Sequence, residues 1–347
     1  MTIRFNRYMS PKGNILKYLS KHQMVSGREI AEYMGVSRQA VNKHLKALIQ
    51  SGEVVKEGST RGATYKLREK DGREKSARKF EKTYSVKNLE EDTVYKEIEM
   101  YLNLEKKLNS YASDIVRYAF TELLNNAIEH SQSAKCSIKA GFDSYDFYFK
   151  IRDFGIGVFF SIFHKFDLTD ENTAIGELLK GKTTTMAGRH TGEGIFFTSK
   201  AADRLSLRSH KLDLVFDNVK EDSFIEQKRY LKGTDIFFSV SKRSKRKLDK
   251  VFQDYAPEDF DYRFDRTRVQ VKLFQKQYVS RSEAKRLVHG LDKFAEIILD
   301  FTGVKSIGQG FADEVFRVFQ QEHPDIVIKT ENVSPALEPM IRHVVDN

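Results

Sequence analysis

Three short polar segments constrain the fold of this 347-residue chain more than any other feature. They are TELLNNAIEHS at 121–131, DFGIG at 153–157 and HTGEGI at 190–195. Each combines side chains that bind polar ligands with a pattern typical of the end or the face of a regular element. Because the segments are far apart in sequence, the fold must bring them together if they act as one site.

The first segment predicts a carboxylate and an amide on one face of a helix. Glu122 and Asn126 lie four residues apart, and the apolar residues around them have helical spacing: Phe120, Leu123, Leu124 and Ala127. Mg²⁺ prefers oxygen ligands and keeps several waters, while a neighbouring carboxylate can orient or deprotonate a water. Asn126 is therefore the candidate metal ligand and Glu122 the candidate catalytic base. Taken alone, such a pair is more often a solvated helix face.

The second segment follows an alternating pattern that predicts a half-buried strand ending at Asp153. Gly155 and Gly157 allow a positive φ and the close approach of a flat ligand. The carboxylate of Asp153 can accept a hydrogen bond from an exocyclic amine such as adenine N6. Taken alone, a hairpin turn explains this segment equally simply.

In the third segment, Gly192 and Gly194 precede the predicted helix IFFTSKAAD. Unpaired backbone N–H groups and the positive end of the helix dipole can hold phosphate oxygens there. This would be a phosphate cradle without a Walker lysine. The alternative is an ordinary loop before a helix.

The order and spacing of these segments resemble the ATPase family of gyrase, heat-shock chaperones, histidine kinases and MutL. ELLNNA resembles the N box, DFGIG the first glycine box and TGEGI, with Thr191, the second. Gly233 and Thr234 resemble the late Gly-Thr pair whose hydroxyl supports the adenine-binding aspartate. Over residues 96–243 the resemblance implies a two-layer α/β sandwich that binds ATP and Mg²⁺.

Residues 158–190 separate the two glycine boxes and resemble the mobile lid of that family. They run from an aromatic patch into GELLKGKTTTMAGRH, which predicts a long loop. If this lid closes over ATP, the candidate phosphate contacts are Lys182, Arg189 and His190. Solvated loop charges are an equally good interpretation.

The positive charge of the chain is concentrated at one end. Residues 1–82 contain 19 Lys and Arg against 8 Asp and Glu, whereas the remainder contains 40 against 41. A basic excess at one end indicates a polyanionic partner, most simply nucleic acid. The single cysteine, Cys136, excludes an intrachain disulfide, and no apolar stretch approaches twenty residues. We therefore expect a cytoplasmic protein without membrane contact.

The basic end has the pattern of a helix-turn-helix. NILKYLSKH predicts one helix and SGREIAEYMGV a second, with Ser26 and Glu29 as a capping box. Ser37 is the predicted N-cap of a third helix, RQAVNKHLKALIQ. The outward side chains of this helix suit bases and phosphates: Arg38, Gln39, Asn42, Lys43 and Lys46.

The segment EVVKEGSTRGATYKLRE predicts a two-stranded wing with Arg61 near its tip. Over residues 10–69 the chain resembles the winged helix-turn-helix domain of the biotin-operon repressor type. The resemblance implies double-stranded DNA as the partner of a domain spanning 1–69. Some winged helices contact only proteins or RNA, which is the alternative.

Charge-dense stretches predict two linkers, at 70–95 and at 244–267. The first is a spacer or a solvated helix. Near the second, SKRSKRKLDK at 241–250 carries six basic residues that contact DNA or form a solvated junction.

After residue 268 the sequence alternates strand and helix patterns, which predicts a small α/β domain spanning 268–347. Over about 268–345 it resembles a STAS-like domain, a relative of anti-anti-sigma factors. The phosphorylatable serine of those factors corresponds to a position near Gln309 and Gly310 in this chain. The nearest serine, Ser306, lies four residues too early, so no phosphoacceptor is predicted. The domain is interpreted as a ligand-sensing, dimerising or intramolecular partner module. A weak candidate site at its strand end comprises Asp300, Gly308, Gly310 and Asp313.

As a whole, the sequence predicts a multidomain α/β (α+β) protein that acts as an ATP-switched DNA-binding regulator. A homodimer is a possible assembly, because such regulators often read paired half-sites. The alternative is an anti-sigma-type serine kinase or ATPase effector that uses the winged helix for localisation. A scaffold with a structural ATP site is a third hypothesis. Histidine autophosphorylation is disfavoured because residues 83–120 contain no histidine.

Overall fold

The computed structural model describes residues 10–20, 22, 25–51, 53–58, 63–67, 78–143, 146–168, 170–181, 193–219, 221–258, 263–273 and 278–345. The chain divides into two compact units, Met1–Arg78 with Phe142–Tyr145 and Lys79–Gly141 with Asp146–Asn347. The protein is mixed α/β, as predicted. Among the described residues, no helix has the length and apolar character needed to cross a membrane.

The first unit contains three helices and a small antiparallel sheet of strand order β1-β3-β2. Its elements are α1 (Pro11–Leu19), β1 (Val25–Ser26), α2 (Gly27–Met34), α3 (Arg38–Gln50), β2 (Val54–Glu57) and β3 (Thr64–Leu67). The predicted capping box forms, since Ser26 Oγ accepts from Glu29 N–H at 3.3 Å and Glu29 accepts from Ser26 N–H at 2.7 Å. The helices enclose a core that includes Ile15, Ile30 and Val41.

The second unit is built around a seven-stranded sheet of order β4-β5-β6-β10-β7-β8-β9. The strands are β4 (Phe80–Ser85), β5 (Lys135–Phe142), β6 (Asp146–Asp153), β7 (Arg204–Ser209), β8 (Leu212–Asp217), β9 (Asp222–Gln227) and β10 (Thr234–Ser241). The helices of this part are α4 (Glu91–Leu102), α5 (Leu104–Lys107), α6 (Ser110–His130), α7 (Val158–Lys165), α8 (Glu171–Lys180), α9 (Gly194–Ala201) and α10 (Leu248–Tyr255).

Helix α6 packs on the middle of this sheet through aromatic side chains. The centre of the Phe149 ring on β6 lies 5.3 Å from the ring centre of Phe120 on α6 and 4.6 Å from that of Phe238 on β10. Buried Phe147, Phe149 and Ile151 alternate along β6 with less buried residues, which confirms the predicted half-buried strand. This packing fixes the N-box helix over the end of β6.

A second, parallel sheet follows, with β12 between β11 and β13. Its elements are β11 (Arg266–Gln270), a 3₁₀ turn (Val271–Leu273), α11 (Arg281–Val288), β12 (Glu296–Asp300), α12 (Gln309–Asp313), a π turn (Glu314–Val318), α13 (Phe319–Glu322), β13 (Val327–Glu331) and α14 (Glu338–Val345). Their order is the predicted alternation of strands and helices. A capping box between Ser280 and Glu283 begins α11.

The two predicted linkers are wrong in part. Within 70–95, β4 pairs antiparallel with β5, and α4 begins at Glu91. Phe80 is the one fully buried side chain of β4, while exposed Lys82 pairs with Glu97 at 2.7 Å. Charged side chains are usual on an edge strand, because they discourage further strand pairing, so charge density alone does not indicate a linker. Within 244–267, α10 likewise replaces irregular chain.

The predicted long loop is also wrong over residues 158–165 and 171–180, which form α7 and α8. Asp170 caps α8 by accepting a hydrogen bond from Thr173 N–H at 2.8 Å. Ala174, Ile175 and Leu178 are buried. The glycine and threonine content of the following residues obscured this amphipathic pattern.

Helices α9 and α10 share a hydrophobic core with the parallel sheet. The rings of Phe196 and Phe197 on α9 lie 4.7 and 5.0 Å from that of Phe264, which precedes β11. Phe252 on α10 packs against the same cluster. Helices α9 and α10 are therefore joined to the parallel sheet by continuous apolar packing.

Candidate nucleotide site and nucleic-acid interface

Asp153, the last residue of β6, is held at the start of β10. Its Oδ1 accepts hydrogen bonds from the backbone N–H groups of Gly155 at 3.0 Å and Thr234 at 3.1 Å. The hydroxyl of Thr234 accepts from Val158 N–H at 3.1 Å, which ties the beginning of α7 to the same point. The carboxylate is thus fixed by main-chain groups of two separate segments.

Asp153 is only 3 % exposed. Burial raises the pKa of its carboxyl group, and the hydrogen bonds from Gly155 and Thr234 partly offset that rise. The structure therefore holds this carboxylate in an environment where its charge is poorly solvated, and a donor from a ligand would stabilise that charge.

Gly233 precedes Thr234 with a φ of +77°, a left-handed conformation that favours glycine. A Cβ at this position would lie 2.5 Å from Asp153 Oδ1 and 2.7 Å from Gly155 N. Only a glycine lets the two strand ends approach so closely. Gly233 and Thr234 thus lie directly against Asp153 and Gly155.

The first glycine box also contacts the end of the N-box helix. Ser131 O accepts a hydrogen bond from Ile156 N–H at 2.8 Å, and Ser133 Oγ accepts from Phe154 N–H at 3.1 Å. A Cβ on Gly155 would overlap Ser131 O, which explains glycine there. Gly157, with a φ of +87°, is the N-cap of α7.

Glu122 on α6 lies against Gly194, the first residue of α9. A Cβ on Gly194 would overlap Glu122 Oε2. Glu122 and Gly194 are therefore in direct contact, and helices α6 and α9 pack together. Asn126 lies one turn further along α6 and is partly buried. Lys182, Arg189, His190, Thr191 and Gly192 lie outside the described residues.

Negative charge gathers beside Glu122. Burial raises the pKa of Tyr118, and the charges of Glu122 and of Glu193, at the N-cap of α9, raise it further. Both carboxylates thus act on one hydroxyl group. Among the residues that the structure describes, no group of three or more His, Cys, Asp or Glu side chains is placed to hold a metal ion.

Arg152 is a site residue that sequence reasoning missed. Its Nη1 donates to Asp153 O at 2.6 Å and to Thr234 O at 3.0 Å, so it bridges the ends of β6 and β10. Its guanidinium also lies 4.9 Å from the centre of the Phe154 ring. The alternation of β6 indicated only that Arg152 points away from the core, because Thr234, which it joins to Asp153, lies 82 residues later.

Helix α3 of the first unit presents the predicted nucleic-acid face. Val41, Leu45 and Leu48 are buried. The five outward residues are all exposed: Arg38, Gln39, Asn42, Lys43 and Lys46. Ser37 Oγ caps the helix by accepting from Ala40 N–H at 3.3 Å. Arg61 lies outside the described residues.

The weak candidate site near β12 is not assembled as one site. Asp300 is buried and accepts hydrogen bonds from Thr302 and Asn332. Asp313 instead pairs with Arg281 at 2.7 Å and with Arg317 at 2.6 Å. Each carboxylate has its own structural partners.

Comparison with known protein families supports the two ends of the chain. Residues 13–63 match the family described as an HTH domain. Residues 283–338 match a STAS-like domain of unknown function (DUF4325). The chain carries a helix-turn-helix domain and a STAS-like domain. No significant match was found among curated proteins.

The helix-turn-helix domain indicates DNA binding and a regulatory role, which agrees with the exposed polar face of α3. The C-terminal resemblance is confirmed by the STAS-like match. The ATPase resemblance of the central part stays a prediction, and so do ATP and Mg²⁺.

Proposed function

We propose that this protein is a DNA-binding regulator whose central domain binds Mg·ATP and thereby switches DNA or partner binding. The observation that carries the proposal is the convergence of Asp153, Thr234 and Gly155 at one strand end, with Glu122 against Gly194 on the neighbouring helices. These are the residue types that an adenine, a phosphate chain and a divalent cation require.

In this proposal each residue acts through the atom that it offers. Asp153 accepts the exocyclic amine of adenine, and Thr234 holds that carboxylate in place. Backbone N–H groups at the start of α9, which begins at Gly194, bind phosphate oxygens. Asn126 ligates Mg²⁺, and Glu122 orients or deprotonates a water.

The packing of α9 supports a route from nucleotide to regulator. This helix begins at the second glycine box, and two residues later Phe196 enters the core that includes the STAS-like domain. A ligand bound at the start of α9 therefore affects the packing of that core through a rigid helix. ATP changes the output only if it binds the two states with different affinity.

The proposal is tested with the full chain and two variants. Asp153→Asn is compared with Asp325→Asn, which changes an exposed aspartate of the STAS-like domain. Calorimetry gives the affinity for Mg·ATP, and DNA selected from sheared genomic fragments is then titrated in the absence of nucleotide and with ATP or ADP. We expect Asp153→Asn alone to lose nucleotide binding and the nucleotide effect on DNA. Equal DNA affinity in all three states would refute the switch.

A serine kinase of the anti-sigma type is a second candidate, favoured by the STAS-like domain because partners of such kinases have STAS domains. It predicts transfer of labelled γ-phosphate to protein, lost in Glu122→Gln. Absence of any labelled protein, together with intact nucleotide binding, would reject this candidate and leave the regulator.

A further inference from the structure

A cleft of about 450 Å³ lies between the end of α9 and helix α10. Five of its nine lining residues are cationic and one is acidic: Lys200, Lys245, Arg246, Lys247, Lys250 and Asp254. The cleft is separate from the strand end that carries Asp153.

Two of the cations already have structural partners. Arg246 Nη1 donates to the main-chain oxygens of Ala201 and Ala202, each at 2.8 Å, and pairs with Asp203 at 2.9 Å. Lys250 pairs with Asp254 at 2.8 Å, but both side chains are at least half exposed, so this pair is weak. The other three lysines of the lining, Lys200, Lys245 and Lys247, can therefore bind an anion.

Lys200 lies on the floor of the cleft against aromatic rings. Its Nζ is 4.9 Å from the centre of the Phe196 ring and 5.7 Å from that of Tyr255. Burial, together with the charge of Arg268, lowers the pKa of Lys200 to about 8 against the opposing effect of Asp300. An anion in the cleft would stabilise the charged form of Lys200.

The rim has a different character from the floor. Lys245, Lys247 and Lys250 are exposed, and exposed Arg243 extends the positive surface beyond the cleft. A small-molecule pocket encloses most of its ligand, whereas an open basic rim suits a polymer that continues past it. Lysines act as point charges and read no base sequence.

We propose that this cleft binds backbone phosphates of nucleic acid. It adds to the second unit a sequence-independent contact that goes beyond the proposed role of the helix-turn-helix domain and does not require ATP. Lys200 and Lys245 contact phosphate oxygens, while Lys247 and Lys250 hold the adjoining backbone.

The salt dependence of binding to a 30-base-pair duplex tests this site in the full chain. The variant Lys245→Gln/Lys247→Gln/Lys250→Gln is compared with Lys87→Gln/Lys96→Gln/Lys305→Gln, which removes the same charge from exposed positions of the same unit. Each lost phosphate contact reduces the steepness of the plot of log binding constant against log salt concentration by about 0.9. We expect the slope for the cleft variant to be shallower than that of wild type by about 2 to 3, and the slope for the control variant to be unchanged. Equal slopes in the two variants would overturn the proposal.

A second measurement needs no substitution in the cleft. Lysine acetylation of the wild-type chain is mapped with and without duplex, and with inorganic triphosphate instead. We expect duplex to protect Lys200 and Lys245 at least fivefold more than Lys305. Protection by triphosphate but not by duplex would assign a small anion and reject the proposal.

The same mapping on Arg38→Ala/Lys43→Ala separates the two DNA contacts. Loss of sequence-selective binding with retained protection of Lys200 supports both the α3 interface and the cleft. Retained selective binding contradicts the α3 interface alone. Loss of protection at Lys200, while a high duplex concentration still saturates the chain, counts against the cleft alone.

Discussion

Lys180, the last residue of α8, donates a hydrogen bond from its ammonium group to the main-chain oxygen of His289, 2.6 Å away. His289 is the C-cap of α11 in the STAS-like domain. The same ammonium donates to Arg286 O at 3.2 Å and pairs with Glu177 at 2.7 Å. A cation at this position satisfies carbonyl groups that a helix end leaves unpaired and opposes the negative end of the helix dipole.

Replacing Lys180 with methionine is therefore expected to destabilise the second unit. The Lys180 side chain is 1 % exposed and that of Glu177 8 %, so removing the cation takes the ammonium from a buried carboxylate, which also contacts His289 Nδ1 at 3.2 Å, and from two main-chain carbonyls. We expect a loss of about 3 to 5 kcal/mol in the free energy of unfolding. Denaturant titration of the full chain measures it, with exposed Lys305→Met as the control. Equal midpoints for the two variants would contradict the prediction.

The relationship between Lys180 and His289 also shows what sequence could and could not predict here. Local patterns were sufficient for α2, because Ser26 and Glu29 cap a helix from within three residues. They were also sufficient for β6, whose alternation is set by its own side chains. In contrast, Lys180 fell within the predicted loop, because two of the groups that hold it, Arg286 O and His289 O, lie more than 100 residues away.

The same reasoning applies to the candidate site. Glu122, Asp153 and Gly194 were identified as a set because their residue types and order resemble a family. Arg152 was not identified, because its role depends on where Thr234 lies in space. Strand β4 was missed for the same reason, since its charged side chains make sense only beside β5 and α4.

Gly194→Ala is expected to weaken nucleotide binding with little loss of stability. The added Cβ would overlap Glu122 Oε2, the end of a flexible side chain, so the carboxylate must move while the backbone remains in place. We expect Mg·ATP affinity to fall at least tenfold. Gly310→Ala is the control, because a Cβ there meets its neighbours at 3.5 Å or more.

The double variant Gly194→Ala/Glu122→Ala isolates the cause of that loss. Removing the Glu122 carboxylate relieves the overlap, so we expect ATP binding to return without hydrolysis. Isothermal calorimetry and phosphate release measure the two properties separately. If the double variant binds no better than Gly194→Ala, displacement of Glu122 is not the reason for the loss.

Asp153 predicts a specific dependence of stability on pH. Burial raises its pKa in the folded state above the ordinary 3.8. A carboxyl group with a raised folded pKa contributes stability that is present below its unfolded pKa and lost as pH rises through the folded pKa. We therefore expect wild type to lose stability relative to Asp153→Asn as pH increases from 3.8 through that raised value. Unfolding free energies measured across this range check the sign, and a difference that changes in the opposite direction would exclude burial as the dominant cause.

The exposed face of α3 predicts that two neighbouring residues contribute differently to DNA binding. Asn42 can read a base edge through its amide, so Asn42→Ala is expected to weaken binding to a selected site by about 1 to 3 kcal/mol and to relax its sequence preference. Lys43 contributes a charge, so Lys43→Ala is expected to weaken all sequences alike and to reduce the salt slope by about 1. Exposed Gln50→Ala, at the end of the same helix, is the control. Fluorescence anisotropy with selected and scrambled duplexes distinguishes these effects, and a helix that binds only protein would leave all three variants equal.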